Sequence, residues 1–345
     1  SDLDIFYSFY KNDSITVTGT NGKSTTCRLL YKILLDQKYD VKLVGNIGNP
    51  ILSEKNIKKK TIFIIEASSY QLEYSKLFKS NYSAILNLSN DHIERHKTFK
   101  NYTAAKFKLL KHQSGENLAF VNKDDPIINK ELKLNKFKCK IIKVSAKKIE
   151  NFIGNLSNAY FLSAENKQNL SFVLEILKRF DVEKKLLIKT INNFRGLKYR
   201  QQIIYKTKYL TIINDSKSTS FSSSLGALQM NSVIYWLIGG INKKGDKLKL
   251  SKEYFDNISA FIFGKNQRFF NQVLKGKIKY ENFKNLKDAF KKILKIISLK
   301  KNIHQTILFS PCAASFDNFK NFEDRGAYFN KLTKKYLNGN KKSNI

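Results

Sequence analysis

Gly19-Thr20-Asn21-Gly22-Lys23-Ser24-Thr25 sets two glycines, a lysine and three hydroxyls where the apolar run from Ile15 gives way to a helical pattern. Backbone N–H groups in the first turn of a helix lack intrahelical partners and carry partial positive charge, so a glycine-bearing turn there can wrap an anion. Lys23 would neutralise a phosphate, and the Ser24 hydroxyl could hold a magnesium ion. A generic phosphate loop has glycine where Val17 stands; the first glycine here is Gly19, so that motif is matched only in part. Ile64-Ile65-Glu66-Ala67-Ser68-Ser69 then ends an apolar run on a carboxylate. A Glu in such a place is more often solvated, but one strand over from a phosphate loop a magnesium ligand is the expectation. His92 follows in Asn87-Leu88-Ser89-Asn90-Asp91-His92, and Lys106 after it. A single histidine is more often structural or exposed, and a single lysine among 63 Lys and Arg residues carries no signal of its own.

The elements that must position these residues alternate short apolar runs with helix-period segments, the pattern of a parallel sheet flanked by helices. Residues 14–18, 60–66 and 83–88 read as strands and 24–37 as a helix. Ligands in open α/β sheets sit beyond the carboxyl ends of strands, which gathers Lys23, Glu66 and the Asn87 to His92 segment on one edge. Amphipathic helices are expected over 101–112, carrying Lys106, and over 164–180, beginning near Asn166 and Asn169. After Arg195-Gly196-Leu197 the pattern restarts, with strands over 209–213, 233–238, 260–263 and 306–309 and a helix over 285–299 striped by Leu286, Phe290, Leu294 and Ile297. This predicts an α/β protein of two domains: a central, mostly parallel sheet domain of the phosphate-loop type over 1–198, and a smaller Rossmann-like domain over 199–345. The Lys- and Asn-rich tail after Tyr336 reads as loosely ordered.

The chain has 345 residues, room for two ordinary cores, and 42% hydrophobic residues. No run of about 18 apolar residues is present to span a bilayer, and the first ten residues, with Asp2 and Asp4, lack the pattern of a secretory signal. Cys27, Cys139 and Cys312 are scattered without metal-ligand spacing, which fits a reducing, cytoplasmic setting. The formal charge of +35 has two readings. One is attraction to nucleic acid. The other is the Lys-, Asn-, Ile-, Phe- and Tyr-rich composition of an AT-rich genome, and this is favoured, because the basic runs show neither an arginine-rich nor an aromatic-platform signature.

Taken together, Thr18 to Thr26, Glu66-Ala67-Ser68-Ser69-Tyr70-Gln71-Leu72-Glu73, Asp91-His92 and Ala104-Ala105-Lys106 occur in the order seen in the Mur ligase family. The Thr-Gly-Thr-Asn-Gly-Lys-Ser-Thr form of the loop is the version seen in the superfamily of Mur ligases and folylpolyglutamate synthases. Later in the chain, Asn214-Asp215-Ser216-Lys217-Ser218-Thr219, Gly239-Gly240-Ile241-Asn242-Lys243 and Ser310 to Phe319, on to Arg325-Gly326, resemble the D-glutamate-adding branch of the family. The resemblance covers essentially the whole chain. The family normally carries an additional N-terminal domain that holds uridine diphosphate, whereas this sequence starts at Ser1 with the central domain.

The resemblance implies that D-glutamate is added to UDP-N-acetylmuramoyl-L-alanine at the expense of ATP, by a monomeric enzyme with neither nucleic acid nor membrane as partner. It implies that Thr20, Asn21, Gly22, Lys23, Ser24 and Thr25 bind the ATP phosphates, with Ser24, Glu66, His92 and Lys106 holding two Mg2+ ions. Lys106 matches the family lysine that is carbamylated, Asn46 a residue contacting the muramoyl substrate, and Asn166 and Asn169 the adenine-side pair, although Glu165 and Lys167 replace its usual neighbours. Arg200 and Asp215 would reach the nucleotide from the second domain; Lys217, Thr219, Lys243, Ser315, Phe316 and Phe322 would surround D-glutamate. Lys244 stands beside Lys243 as a rival for the same place. Two other readings are a folylpolyglutamate synthase-like ligase, against which the Asn214 and Ser310 segments argue, and a basic nucleic-acid-dependent ATPase.

Overall fold

The computed structural model describes residues 1–230, 232–243, 245–299 and 303–338, and its chain divides into two compact units, Ser1–Arg195 and Gly196–Ile345. Lys244 and the tail beyond residue 338 lie outside the described residues.

In the first unit six strands, β1 (Ser14–Thr18), β2 (Val41–Gly45), β3 (Ile62–Glu66), β4 (Tyr82–Ile85), β5 (Leu118–Asn122) and β6 (Lys140–Val144), form one sheet in the order β2-β3-β1-β4-β5-β6. Every neighbouring pair is parallel. All residues of β1 and β3 are buried, as expected of a parallel sheet with helices on both faces. Side chains alternate between the faces of a strand, so Ile62 and Ile64 join the core formed with helices Lys23–Asp36 and Ala164–Leu177. Phe63 and Ile65 join the opposite core with helix Phe99–Lys111. That helix starts at Thr98, whose side chain accepts the Asn101 N–H, and its buried stripe includes Tyr102, Lys106 and Leu110, four residues apart. Lys106 is therefore carried into the interior by helical periodicity. The chain passes from β1 to β2 on one side and reaches β4 on the other, so β1 sits at the point where strand order reverses, the usual place for a ligand crevice.

The second unit has its own six-stranded sheet: β7 (Gln202–Lys206), β8 (Leu210–Asn214), β9 (Val233–Gly239), β10 (Ile258–Phe263), β11 (Lys279–Asn282) and β12 (Gln305–Phe309). Its order is β11-β10-β9-β12-β8-β7, all parallel except the β7/β8 hairpin. Ile234, Trp236 and Ile238 of β9 pack with Phe221 and Phe270 on one face; Tyr235 and Leu237 pack with Phe290 and Phe329 on the other. Of the stripe expected on helix Leu286–Leu299, Leu286 and Phe290 are buried, whereas Leu294 and Ile297 pack only partly at its far end. The Asn214, Gly239 and Ser310 segments leave the carboxyl ends of β8, β9 and β12. Among the described residues no helix is long and apolar enough to cross a membrane.

Candidate nucleotide and cation site

The turn after β1 is held open by the neighbouring β4 segment. The Thr20 N–H donates to the Asn87 carbonyl (2.9 Å), and the Asn21 N–H to the Asn87 side-chain oxygen (2.8 Å), while the Asn87 amide returns a bond to the Asn21 carbonyl (3.2 Å). Gly22, at φ +82°, is the cap from which helix Lys23–Asp36 starts; a Cβ there would lie 2.1 Å from Asn169 Oδ1. Glycine is thus required twice over, for its left-handed backbone and for the close approach of Asn169. The Asn169 amide in turn donates to Asn166 Oδ1 (3.4 Å), so of the two asparagines expected on the adenine side Asn169 lies against the Gly22 turn and Asn166 is bonded to it.

Two lysines converge on one oxygen. Lys23 Nζ donates to the carbonyls of Gly19 (2.8 Å) and Thr20 (2.7 Å), and Lys106 Nζ donates to the Gly19 carbonyl (2.8 Å) and to Thr18 Oγ1 (3.3 Å). Lys106 is 1% exposed and packs beside the Tyr102 ring, with Nζ 4.8 Å from its centroid. Burial, then the charge of Lys23, hold its amine well below the usual lysine range, with Asp91 and Glu66 pulling the other way. Tyr102 also meets Thr20, hydroxyl to hydroxyl at 3.0 Å.

Glu66 closes β3 and is completely buried. Its Oε1 accepts the Asn46 amide at 2.7 Å, and the Asn46 N–H donates to the Glu66 carbonyl at 2.9 Å. Oε2 is buried and, among the described residues, has no hydrogen-bond partner. A carboxylate oxygen so placed is costly unless a cation faces it, so the residues present fit a metal ion at Glu66. Among the described residues no group of three or more His, Cys, Asp or Glu side chains could hold a metal by themselves. His92 stands at φ +52° at the start of helix Ile93–His96, its Nδ1 2.8 Å from the Tyr70 hydroxyl and its Nε2 3.4 Å from Asp91 Oδ2.

The second unit gathers its own set. Asp215 Oδ1 accepts the Gln201 N–H (3.1 Å), and Oδ2 accepts the Ser310 hydroxyl (2.6 Å). Lys217 Nζ lies 3.7 Å above the centre of the Phe322 ring. Arg325, 1% exposed, ties this region together by donating to the Ser216 hydroxyl and to the carbonyls of Ser216 and Ala313. Burial brings its pKa down to about 10, opposed by the charges of Asp317, Cys312 and Asp215, so it stays charged at neutral pH. Ser315 is buried, Thr219 and Phe316 are exposed, and Arg200 and Lys243 are half-buried.

Residues 17–187 match the model of the Mur ligase middle domain. A relative from Rickettsia felis, named UDP-N-acetylmuramoylalanine–D-glutamate ligase, is 33% identical over 97% of this chain and 78% of its own length. The chain belongs to the Mur ligase family. Ligases of the same name from Rickettsia bellii and Francisella tularensis subsp. novicida are each 31% identical, over 96% of this chain and 78% of theirs. The fold agrees with solved family structures: MurF from Acinetobacter baumannii superposes with TM-score 0.71 at 16% identity, covering 96% of this chain and 79% of that one. MurF ligase from Thermotoga maritima in complex with ADP gives 0.67 at 16% identity, covering 97% and 83%.

Within this family frame the structure groups Lys23, Lys106, Asn166 and Asn169 around the phosphate turn, pairs Asn46 with Glu66, and sets Lys217 on Phe322. Sequence reasoning passed over Tyr102, and it held Asn87, Ser310 and Arg325 only as parts of motif segments, with no role of their own. Tyr102 was within reach of a helical argument, standing one turn before Lys106 on the same stripe. Arg325 stood in a motif that carried the resemblance, but its burial and its bonds to Ser216 and Ala313, 109 and 12 positions away, had no signal in the sequence.

Proposed function

We propose that this protein is an ATP-dependent ligase of peptidoglycan precursor synthesis, joining D-glutamate to UDP-N-acetylmuramoyl-L-alanine through an acyl phosphate. The observation that carries this reading is the likeness, along nearly the whole chain, to ligases named for D-glutamate.

A carboxylate has no adequate leaving group. Attack of its oxygen on the γ-phosphorus of ATP releases ADP and leaves an acyl phosphate; the D-glutamate amine then attacks the carbonyl carbon, phosphate departs and the amine loses a proton. Bringing a carboxylate to ~4 Å from a phosphate oxygen costs about 4 kcal/mol per pair of unit charges at an effective dielectric near ~20, so cations must be in place beforehand. Lys23 and the backbone N–H groups of Thr20 to Thr25 would hold the phosphates. Ser24, Glu66, His92 and a carbamylated Lys106 would hold two magnesium ions, which when bound supply positive charge against that developing on the phosphoryl group. Asn46 would meet the muramoyl substrate, and Asn166, Asn169, Arg200 and Asp215 the nucleotide. In the second unit Lys217 and Lys243 would pair with the carboxylates of D-glutamate, with Thr219, Ser315, Phe316 and Phe322 around it.

The depressed basicity of Lys106 supports carbamylation, because the neutral amine is the form that adds carbon dioxide, and the product sets an anionic oxygen pair where the amine stood. Isotope-labelled bicarbonate should give a carbamate resonance that Lys106→Ala abolishes; a resonance surviving that change would remove the assignment. The three cysteines are free and buried, which suits a reducing compartment, and a monomeric cytoplasmic enzyme is part of this reading.

The reaction is tested with the full-length protein. ADP and phosphate should appear only with both UDP-N-acetylmuramoyl-L-alanine and D-glutamate present, and labelled oxygen in the substrate carboxylate should pass to the phosphate. Release driven by DNA or RNA, or phosphate free of the label, would overturn it.

A further inference from the structure

Tyr70 lies four residues after Glu66, in the short helix Ser69–Tyr74, and its hydroxyl is 2.8 Å from His92 Nδ1. We propose that Tyr70 is a positioning residue for His92: its oxygen accepts the Nδ1 proton and so presents the Nε2 lone pair to the cation. The inference rests on the reading of His92 as a metal ligand.

A neutral imidazole carries one proton, and the nitrogen that bears it cannot ligate; the hydrogen bond made by one ring nitrogen therefore decides what the other can do. Nδ1 lies 2.8 Å from the Tyr70 oxygen, and Glu94 Oε1, 3.7 Å away and exposed, acts in the same direction. On the other side, Nε2 lies 3.4 Å from Asp91 Oδ2, which competes for the ring proton in the metal-free protein and is an anionic neighbour for a cation at that nitrogen.

Tyr70 is itself fixed. Its ring stacks on His96 with centroids 5.6 Å apart and planes 10° from parallel, and it tilts against His92 at 5.0 Å. His96 is buried, bonded through Nε2 to Ser69 Oγ (2.9 Å), with Nδ1 3.7 Å from Glu73 Oε1. The helix carrying Tyr70 begins in a capping box between Ser68 and Gln71, directly after β3. One continuous segment thus bears both Glu66 and the group that sets the ring of His92, which ties the two candidate cation ligands to a single element.

Tyr70→Phe removes the oxygen and keeps the stacked ring. In metal-free protein with labelled histidine, the imidazole nitrogen resonances should show His92 protonated at Nδ1 in the parent and shifted towards the Nε2–H form in Tyr70→Phe. Manganese titrated by electron paramagnetic resonance in the presence of a non-hydrolysable ATP analogue should bind about 10-fold more weakly at one site in Tyr70→Phe. His92→Ala should lose that site, and the double variant should bind no more weakly than His92→Ala. An unchanged tautomer and unchanged manganese affinity in Tyr70→Phe would overturn the inference, while loss in His92→Ala would leave the reading of the site standing. Full manganese binding by His92→Ala would overturn both.

Discussion

Lys23 and Lys106 donate to the same carbonyl oxygen, that of Gly19, each at 2.8 Å. Two ammonium groups so close, one of them buried, favour loss of a proton from the buried one, and the Lys106 amine is held far below its ordinary value of 10.5 by burial first and Lys23 second. The unfolded chain then binds one more proton than the folded protein between the lowered pKa and 10.5, so this residue costs stability there and the cost falls as pH rises. Lys106→Met should therefore raise the metal-free melting temperature at neutral pH, and the gain should shrink as pH approaches 10.5, with a slope of at most ~1.4 kcal/mol per pH unit. Thermal melts of both proteins across that range check it; a gain independent of pH would contradict the assignment.

Asn46 donates a side-chain hydrogen bond to Glu66 Oε1 at 2.7 Å, and among the described residues Oε2 has no partner. In Asn46→Ala neither oxygen of a completely buried carboxylate would have that partner, and an unsatisfied buried acceptor costs about 1–3 kcal/mol. Chemical denaturation of the metal-free protein should register that loss, and magnesium with ATP should recover part of it by facing the carboxylate with a cation. Equal losses with and without magnesium nucleotide would separate Asn46 from the cation site.

Gly22→Ala should damage nucleotide binding more than folding. Its Cβ would lie 2.1 Å from Asn169 Oδ1 at a backbone φ of +82°, so either the turn or Asn169 must move. A left-handed alanine costs about 1–3 kcal/mol, and the turn is where that strain would be relieved. Calorimetric titration with ATP should show at least a 10-fold loss of affinity, with far-ultraviolet circular dichroism unchanged.

Phe322 lies face-on to Lys217 Nζ at 3.7 Å. A cation over an aromatic face is worth about 0.5–2 kcal/mol, and the ring also fixes where the ammonium points. Phe322→Leu keeps an apolar side chain and should raise the KM for D-glutamate several-fold while the KM for ATP stays within twofold. Steady-state kinetics on both substrates decide it, and an effect confined to ATP would place this pair with the nucleotide instead.

The glycine turn after β1, Glu66 at a strand end and the parallel, helix-flanked character of the first sheet were legible because each is a local pattern: a glycine spacing, an apolar run, a helical period. The bonds that give the site its chemistry were not local. Lys106 meets Gly19 across 87 positions and Asn46 meets Glu66 across 20, and nothing in either neighbourhood announces the partner. Edge strands escaped for a different reason. β11 is exposed along its whole length and β6 is half-exposed and rich in lysine, so neither shows the continuous apolar run that marks a buried strand. Helix Asp2–Phe9 was also missed; Asp4 holds it by accepting the backbone N–H groups of Lys76, Leu77 and Phe78, a contact some 70 residues distant. The helix over Ala164–Leu177 was legible, yet the approach of Asn169 to Gly22 required the packed structure.

Amino-acid selectivity tests the central claim most directly. Phosphate release by the full-length protein, with UDP-N-acetylmuramoyl-L-alanine and ATP fixed, should be supported by D-glutamate, with L-glutamate, L-alanine and a diamino acid at least 100-fold poorer in kcat/KM, a ratio that wrongly placed carboxylates and unpaired lysines can supply. A preference for L-alanine or for the diamino acid would contradict the account.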